Sequence, residues 1–244
     1  MATVIWRDAN IFVDTYDLTG YHNKVEMPVE AEMKDATVFG NTTRVNKPGL
    51  LAVSVEAGGF FDTAEINAGT DDSLDQKLFA SMGLITPQVT IAPVGPAEGS
   101  KAYAGVFASG KYNVGAAVGD LLGFQLSMSG RQKPVRSTVL FTNSSRAASA
   151  DSAAKLLLGA VSATQRVYAF LHVLEFDGTS LDVIVRSDTN TGAGGETTRL
   201  TFTQALGRTS QQVSAAGAIT DTYWDVSTTF VGTSFKALVV VGIQ

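Results

Sequence analysis

The sequence predicts a mainly β fold with a single helix, and three observations carry that prediction. Residues 25–33 read V-E-M-P-V-E-A-E-M, apolar and polar in alternation. A period of two belongs to a strand with one buried and one wet face. Runs of the same kind recur along the chain, separated by turns rich in Gly and Asp. Only the window at residues 70–83 carries a helical period.

Taken in order, the first strand places Val25, Met27, Val29, Ala31 and Met33 on one face. Glu26, Glu30 and Glu32 fall on the other, and within those residues that face holds no cation. Pro28 cannot donate to a ladder, so this strand belongs at an edge or carries a bulge. In the next strand Leu51, Val53, Val55 and Ala57 alternate with Ala52, Ser54 and Glu56, and Gly58-Gly59 ends or bulges it. The helix follows. Asp71 and Asp72 suit its N-terminal dipole, Gly83 suits its C′ position, and Leu74, Leu78 and Met82 make one apolar stripe that should pack on a sheet. Leu122, Phe124, Leu126 and Met128 then alternate with Gly123, Gln125 and Ser127. After Gly130, R-Q-K-P reads as a turn into a return strand over residues 135–141.

Residues 142–154, T-N-S-S-R-A-A-S-A-D-S-A-A, are small and polar and read as a linker. The expected organisation is one domain over 1–143, a linker over 144–160 and a second domain over 161–244. Strand blocks at 166–176, 181–187, 199–205, 223–230 and 235–243 are punctuated at Asp177-Gly178, residues 192–195, Gly207, Gly217 and Gly232. That spacing predicts a small antiparallel sandwich.

Composition narrows the function classes. Cysteine is absent, which excludes disulfides, thiolate metal sites and thiol nucleophiles. Charged residues are only 17% of the chain, which fits equally a protein that hides surface in an assembly and a plain Gly/Thr-rich β protein. The start has neither a basic n-region nor an apolar h-region, and no apolar run approaches membrane-spanning length, so no signal peptide and no membrane span are expected. Residues 1–75 hold 13 acids against 5 bases, and residues 76–143 hold 2 acids against 6 bases. The contrast suits either ordinary solvated charge or subunit complementarity, and no clustered basic face for gripping nucleic acid is present.

Catalytic motifs fail on inspection. Gly105 to Lys111 matches G-x-x-x-x-G-K, but Tyr112 stands where a magnesium-binding hydroxyl is required. Ser152-A-A-Lys155 matches S-x-x-K without its companion motifs. His22 lies in a polar loop and His172 in an apolar strand block, where it reads as a partly buried, hydrogen-bonded residue. The aspartates lack calcium-loop spacing. No enzyme, cofactor or metal is expected. Tyr223-Trp224 is a candidate glycan platform, although in a strand one of the two must face the core.

Several stretches resemble the tail tube (major tail) proteins of long-tailed bacteriophages. They are the acid-lined strand with D-A-T-V-F-G-N-T-T-R (Asp35 to Arg44) and Pro48-Gly49-Leu50, the run from Ser54 to Asp62 feeding the helix, and V-G-D-L-L from Val118 with its return strand. The C-terminal strands resemble β-sandwich modules appended to phage structural proteins. The resemblance implies a tail-tube-type β-sandwich or barrel with one flanking helix, plus a second small antiparallel β-sandwich on the tube exterior. It implies self-association into rings, hexameric by expectation and trimeric if the second domain also lines the bore. The rings stack with other tail proteins in a virion assembled in the host cytoplasm, and DNA passes through without specific binding. On that reading Glu26, Glu30, Glu32, Ser54, Glu56, Gln125 and Ser127 face an acidic bore. The long polar loop bearing Asp35, Thr37, Phe39, Asn41, Thr43, Arg44 and Lys47 would stack the rings. The competing readings are a capsid decoration protein and a carbohydrate-binding module using Trp224 or Tyr223.

Overall fold

A computed structural model of the chain describes residues 9–40, 42–61, 73–192 and 194–244. In chain order its first strands are β1 (Asn10–Val13), β2 (Tyr16–Asp17), β3 (His22–Glu26), β4 (Val29–Asp35) and β5 (Asn46–Phe60). Helix α1 (Leu74–Ala80) precedes β6 (Gln88–Ala92), β7 (Lys101–Gly115), β8 (Gly123–Gly130) and β9 (Val135–Phe141). The rest are β10 (Ser145–Arg146), β11 (Leu156–Leu157), β12 (Arg166–Asp188), β13 (Thr197–Thr201), β14 (Ser210–Ala216) and β15 (Tyr223–Ile243). The mainly β expectation with one short helix therefore holds among the described residues.

Two units emerge, and no single cut in the sequence separates them. The first comprises Met1–Gly20, Gln88–Gly105 and Val135–Gln244; the second comprises Tyr21–Pro87 and Val106–Pro134. This corrects the expected boundary at residues 144–160. The reason lies in pairing. β9 supplies an edge for β15, with Val239 opposite Phe141 and Val241 opposite Thr138. The supposed linker then continues along the same edge: Arg146 pairs with Phe235, and Leu156 with Trp224. Between those points a short backbone bridge at Asp151, opposite Ser227, is reinforced by side chains. Ser149 Oγ accepts from Phe230 N at 2.8 Å, Ser152 Oγ accepts from Val226 N at 2.8 Å, and Ala150 N donates to Thr228 Oγ1 at 3.0 Å.

The first unit is organised by β12 and β15, which pair antiparallel from Val167–Ile243 to Asp188–Tyr223. Their apolar residues before and after Gly178 share one core, including Val167, Ala169, Leu171, Leu181, Val183 and Val185, so the ribbon folds back on itself. The fold-back needs glycine twice. A Cβ on Gly232 would lie 2.3 Å from Gly178 Cα, and one on Gly178 would lie 2.7 Å from the Phe230 ring. Asp177-Gly178 and Gly232, expected as turns between strands, are thus irregularities within two continuous strands. Trp224 sits in this core with no exposed surface, its indole N–H donating to Gly159 O at 3.0 Å.

His172 is fully buried on β12, deeper than the sequence suggests. Its Nδ1 lies 2.6 Å from Asp14 O, an acceptor only, so that nitrogen carries the proton. Nε2, at 2.8 Å from Thr90 Oγ1, then accepts from the hydroxyl. Burial pushes the imidazole below its ordinary value, opposed by the Asp14 carbonyl. The unfolded chain therefore binds the proton more readily than the folded one. Stability from this group is complete above about pH 6.5 and falls as pH drops toward the folded-state value, by up to about 1.4 kcal/mol per pH unit. Urea midpoints measured from pH 7.5 to 5 should fall in the native protein and flatten in His172→Gln; parallel curves would contradict this.

The second unit centres on an antiparallel sheet in the order β3/β4–β5–β8–β7. Its core contains Val53, Val55, Ala57, Phe107, Phe124, Leu126 and Met128. α1 is shorter than expected and is capped by Ser73, whose Oγ accepts from Gln76 N at 3.3 Å; Asp71 and Asp72 lie outside the described residues. Leu74 and Leu78 are buried as the stripe required, and Asp75 accepts from the Tyr112 hydroxyl of β7 at 2.9 Å. R-Q-K-P does not turn a hairpin. β8 and β9 each run antiparallel to β7, β8 along Phe107 to Gly115 and β9 along Lys101 to Ala104, so β9 is not a return strand against β8.

Candidate assembly surface

The sheet of the second unit brings six of the seven proposed bore residues onto one face. Glu26 lies opposite Glu56, and Val29 opposite Val53, in a single unbroken register. Pro28 sits between them at the edge, its carbonyl accepting from Ser54 N at 3.2 Å. Side chains alternate in a strand, so Glu26 and Glu30 share a face with Ser54 and Glu56. Cross-strand pairing extends that face to Ser127, opposite Glu56, and to Gln125, opposite Gly58. Glu32 follows Glu30 by two residues, beyond a register shift between Ala31 and Met33, and remains exposed.

The same alternation brings lysines that the nine-residue window excluded. Lys24 and Lys34 lie two residues outside the glutamates, on their face. Lys24 Nζ is 3.1 Å from Glu26 Oε1, and Lys34 is ion-paired to Glu32. Lys47 stands opposite Lys34, and Lys111 opposite Ser127. The expectation of an acidic lining is corrected accordingly: Glu26, Glu30, Glu32 and Glu56 meet Lys24, Lys34, Lys47 and Lys111, and the face is balanced. It is also concave, holding a basin of about 580 Å³ lined by Lys24, Glu56, Lys111, Asn113, Gln125 and Ser127.

Beyond Val29 the β4–β5 ribbon carries exposed residues on both faces. The loop at its tip is braced at the base. Asp35 Oδ1 accepts from the Thr37 hydroxyl at 2.6 Å and Thr37 N at 2.9 Å, and Oδ2 accepts from Arg44 Nε at 2.9 Å. Those bonds, the Thr37 hydroxyl first, hold the carboxyl below its ordinary value. Thr37 Oγ1 in turn accepts from Val45 N at 2.9 Å. Phe39 projects fully into solvent and Thr43 is exposed, while Lys47 belongs to β5; Asn41 lies outside the described residues.

Sequence reading missed the apolar side of this ribbon. Val29, Met33 and Leu51 are 44%, 58% and 53% exposed, on the face that buries Val53 and Val55 further along. Alternation puts Ala31, Met33 and Leu51 on the apolar face; their lack of a cover is not legible in the sequence. Both outer edges of the sheet lack a strand partner among the described residues. β4 pairs only with β5, and β7 from Lys111 to Gly115 pairs only with β8. Exposed apolar residues also accompany the β7 edge: Val114, Val118, Leu121 and Leu122.

Other candidates disperse. Trp224 is core and has no surface to offer a sugar, which corrects its assignment as a glycan contact; Tyr223 is half-buried between Leu157 and Asp188. Gly105 to Lys111 lies inside β7 rather than in a phosphate-cradling loop. Ser152 is occupied in edge pairing, and Lys155 reaches Asp188 and Glu196 instead of the serine. No helix among the described residues is long and apolar enough to cross a membrane.

No protein-family model matches the chain, and no curated protein matches it. Among solved structures it is similar to the Dit protein of phage SPP1, described as a hub of the adsorption apparatus in phages infecting Gram-positive bacteria. That likeness has 12% identity and a TM-score of 0.41, over 98% of this chain and 100% of the other. The SPP1 tail tube is similar over 55% of this chain and 78% of its own, with 12% identity and a TM-score of 0.42. A chain from the virion of a native gene transfer agent particle is similar over 55% of this chain and 98% of its own, with 16% identity and a TM-score of 0.42.

Proposed function

We propose that this protein is a non-enzymatic structural subunit of a phage tail, whose copies close into rings through the sheet of the second unit and stack as a tube. The observation that carries the reading is the β3/β4–β5–β8–β7 sheet itself: among the described residues the β4 edge and the Lys111–Gly115 end of the β7 edge lack a further strand partner, both carry exposed apolar side chains, and one face is polar and concave. Exposed edges invite pairing with another chain. The β4 and β7 edges differ from each other, so joining one copy's β4 edge to the next copy's β7 edge is a head-to-tail contact, which closes into a ring when its rotation permits. Negative-stain images of the purified protein with rotational averaging test this directly. Six-fold rings are expected and three-fold rings would serve; solitary particles at high concentration would refute it.

On this reading the concave face lines the bore and DNA slides past it. Because that face is balanced in charge, the sliding does not rest on repulsion by an acid wall. Paired opposite charges a few Å apart cancel beyond about 10 Å, a Debye length at ordinary salt, and leave the polyanion little to grip. Changing Glu30 and Glu32 to Lys would turn that balance strongly positive and favour counterion release on phosphate contact. DNA ejection from particles carrying both changes should slow several-fold with tubes intact; unchanged ejection would remove these residues from the bore. The braced loop at the β4–β5 tip suits ring stacking. Deleting residues 37–46 should give soluble protein that no longer forms tubes, whereas tubes of normal length in micrographs would assign stacking elsewhere.

A further inference from the structure

In the first unit Lys155 is enclosed by two carboxylates. Lys155 immediately precedes β11, which pairs with one edge of β15, while Asp188 ends β12 on the opposite edge, facing Tyr223. The Lys155 side chain therefore passes over β15 to reach its partner. There it is 9% exposed and the Asp188 side chain 3%. Its ammonium donates to Asp188 Oδ2 at 2.5 Å and to Gly192 O at 2.5 Å, and it stands 2.7 Å from Glu196 Oε1. Glu196 Oε1 also accepts from Gly194 N at 3.2 Å. A glycine-rich segment makes the enclosure: Gly195 takes φ +91°, and a Cβ there would sit 3.4 Å from Asp188 Oδ1.

An amine, a carboxyl and a second carboxyl held in one screened pocket are the components of an internal condensation. We propose that Lys155 and Asp188 join in an intramolecular amide, with Glu196 relaying the proton. The reaction starts from the ion pair. Burial works against the ammonium, but hydrogen bonds to Asp188 and Glu196 hold it above its ordinary value, so condensation is a slow maturation through the rarer neutral pair. A proton passes from the Lys155 ammonium to Glu196 and on to Asp188. The neutral amine attacks Cγ, the Nζ–Cγ bond forms and one Cγ–O bond breaks. The departing oxygen leaves as water with two of the three ammonium protons, and the third stays on the amide nitrogen. No oxidant or activating group is consumed. Fixed proximity of the reacting atoms supplies the advantage that free amine and acid lack in water. Loss of two poorly solvated charges adds to it.

Mass spectrometry of aged, purified protein decides the matter. The native chain should weigh about 18 Da less than its sequence, one water lost in forming a peptide-type bond. A tryptic digest should yield one branched peptide joining Lys155 to Asp188. Glu196→Gln should keep the full mass; Lys155→Arg, which preserves the charge but cannot condense, should keep it too. A bond closing this span constrains the unfolded chain as a disulfide does, so Lys155→Arg should melt roughly 10 °C lower. Full mass in the native protein with Lys155 cleavable by trypsin overturns the proposal. Water loss persisting in Glu196→Gln overturns the role of Glu196 alone.

Discussion

Replacing Met33 and Leu51 together with Asp should leave a folded protein that forms no rings. Both side chains are more than half exposed, so their loss costs the subunit little. In a ring they would lie at the β4 edge, beside the Val114, Leu121 and Leu122 patch of the neighbour. Burying two unpaired carboxylates there costs several kcal/mol at every contact, and a closed ring repeats that contact at each subunit. Light scattering should report monomer where the native protein reports an oligomer, with unchanged circular dichroism. Rings that persist in the double variant would place the subunit contact elsewhere.

Trp224→Ala should be the most destabilising single substitution in the first unit. Trp224 has no exposed surface and lies among Val185, Val226 and the other residues of the main core. Truncating a buried tryptophan costs about 3–5 kcal/mol through lost contacts and the cavity left behind. Loss of the indole donor also leaves Gly159 O without that bond. At about 2–4 °C per kcal/mol for a chain of this size, the melting temperature should fall by roughly 10 °C. Calorimetry measures it. A fall below 3 °C would mean that the core repacks around the gap. The same variant separates the two early readings of this residue, because a stacking platform would lose sugar affinity while keeping its stability.

Most single strands were legible, because alternation is a local property. Val53, Val55 and Ala57 face inward and Ser54 and Glu56 outward, as their spacing required. Pro28 marks an edge as its missing N–H dictates. Continuity was not legible. Asp177-Gly178 suits a turn and a bulge equally well, and only pairing with Gly232 across the ribbon selects the bulge. The division into units was hidden for a related reason: pairing is not confined to neighbours in sequence, and β9 finds its partner some hundred residues later. The acidic face was misread by a window ending one residue before Lys34 and beginning one residue after Lys24. β14 escaped altogether, since Ser210–Ala216 carries few apolar side chains and is held by β12 rather than by burial of its own.

The discontinuity of the first unit sets an order of events during synthesis. Every strand of the β3–β5–β8–β7 sheet has been made once residue 130 emerges, whereas the sandwich must wait for β15, residues 223–243. Domains tend to fold as they leave the ribosome, N-terminal parts first. The sticky edges of one unit are thus displayed on nascent polypeptide whose other unit is still incomplete. If copies join through those edges as proposed, neighbouring ribosomes on one messenger would hold them close together, and the timing of translation would bear on how they associate.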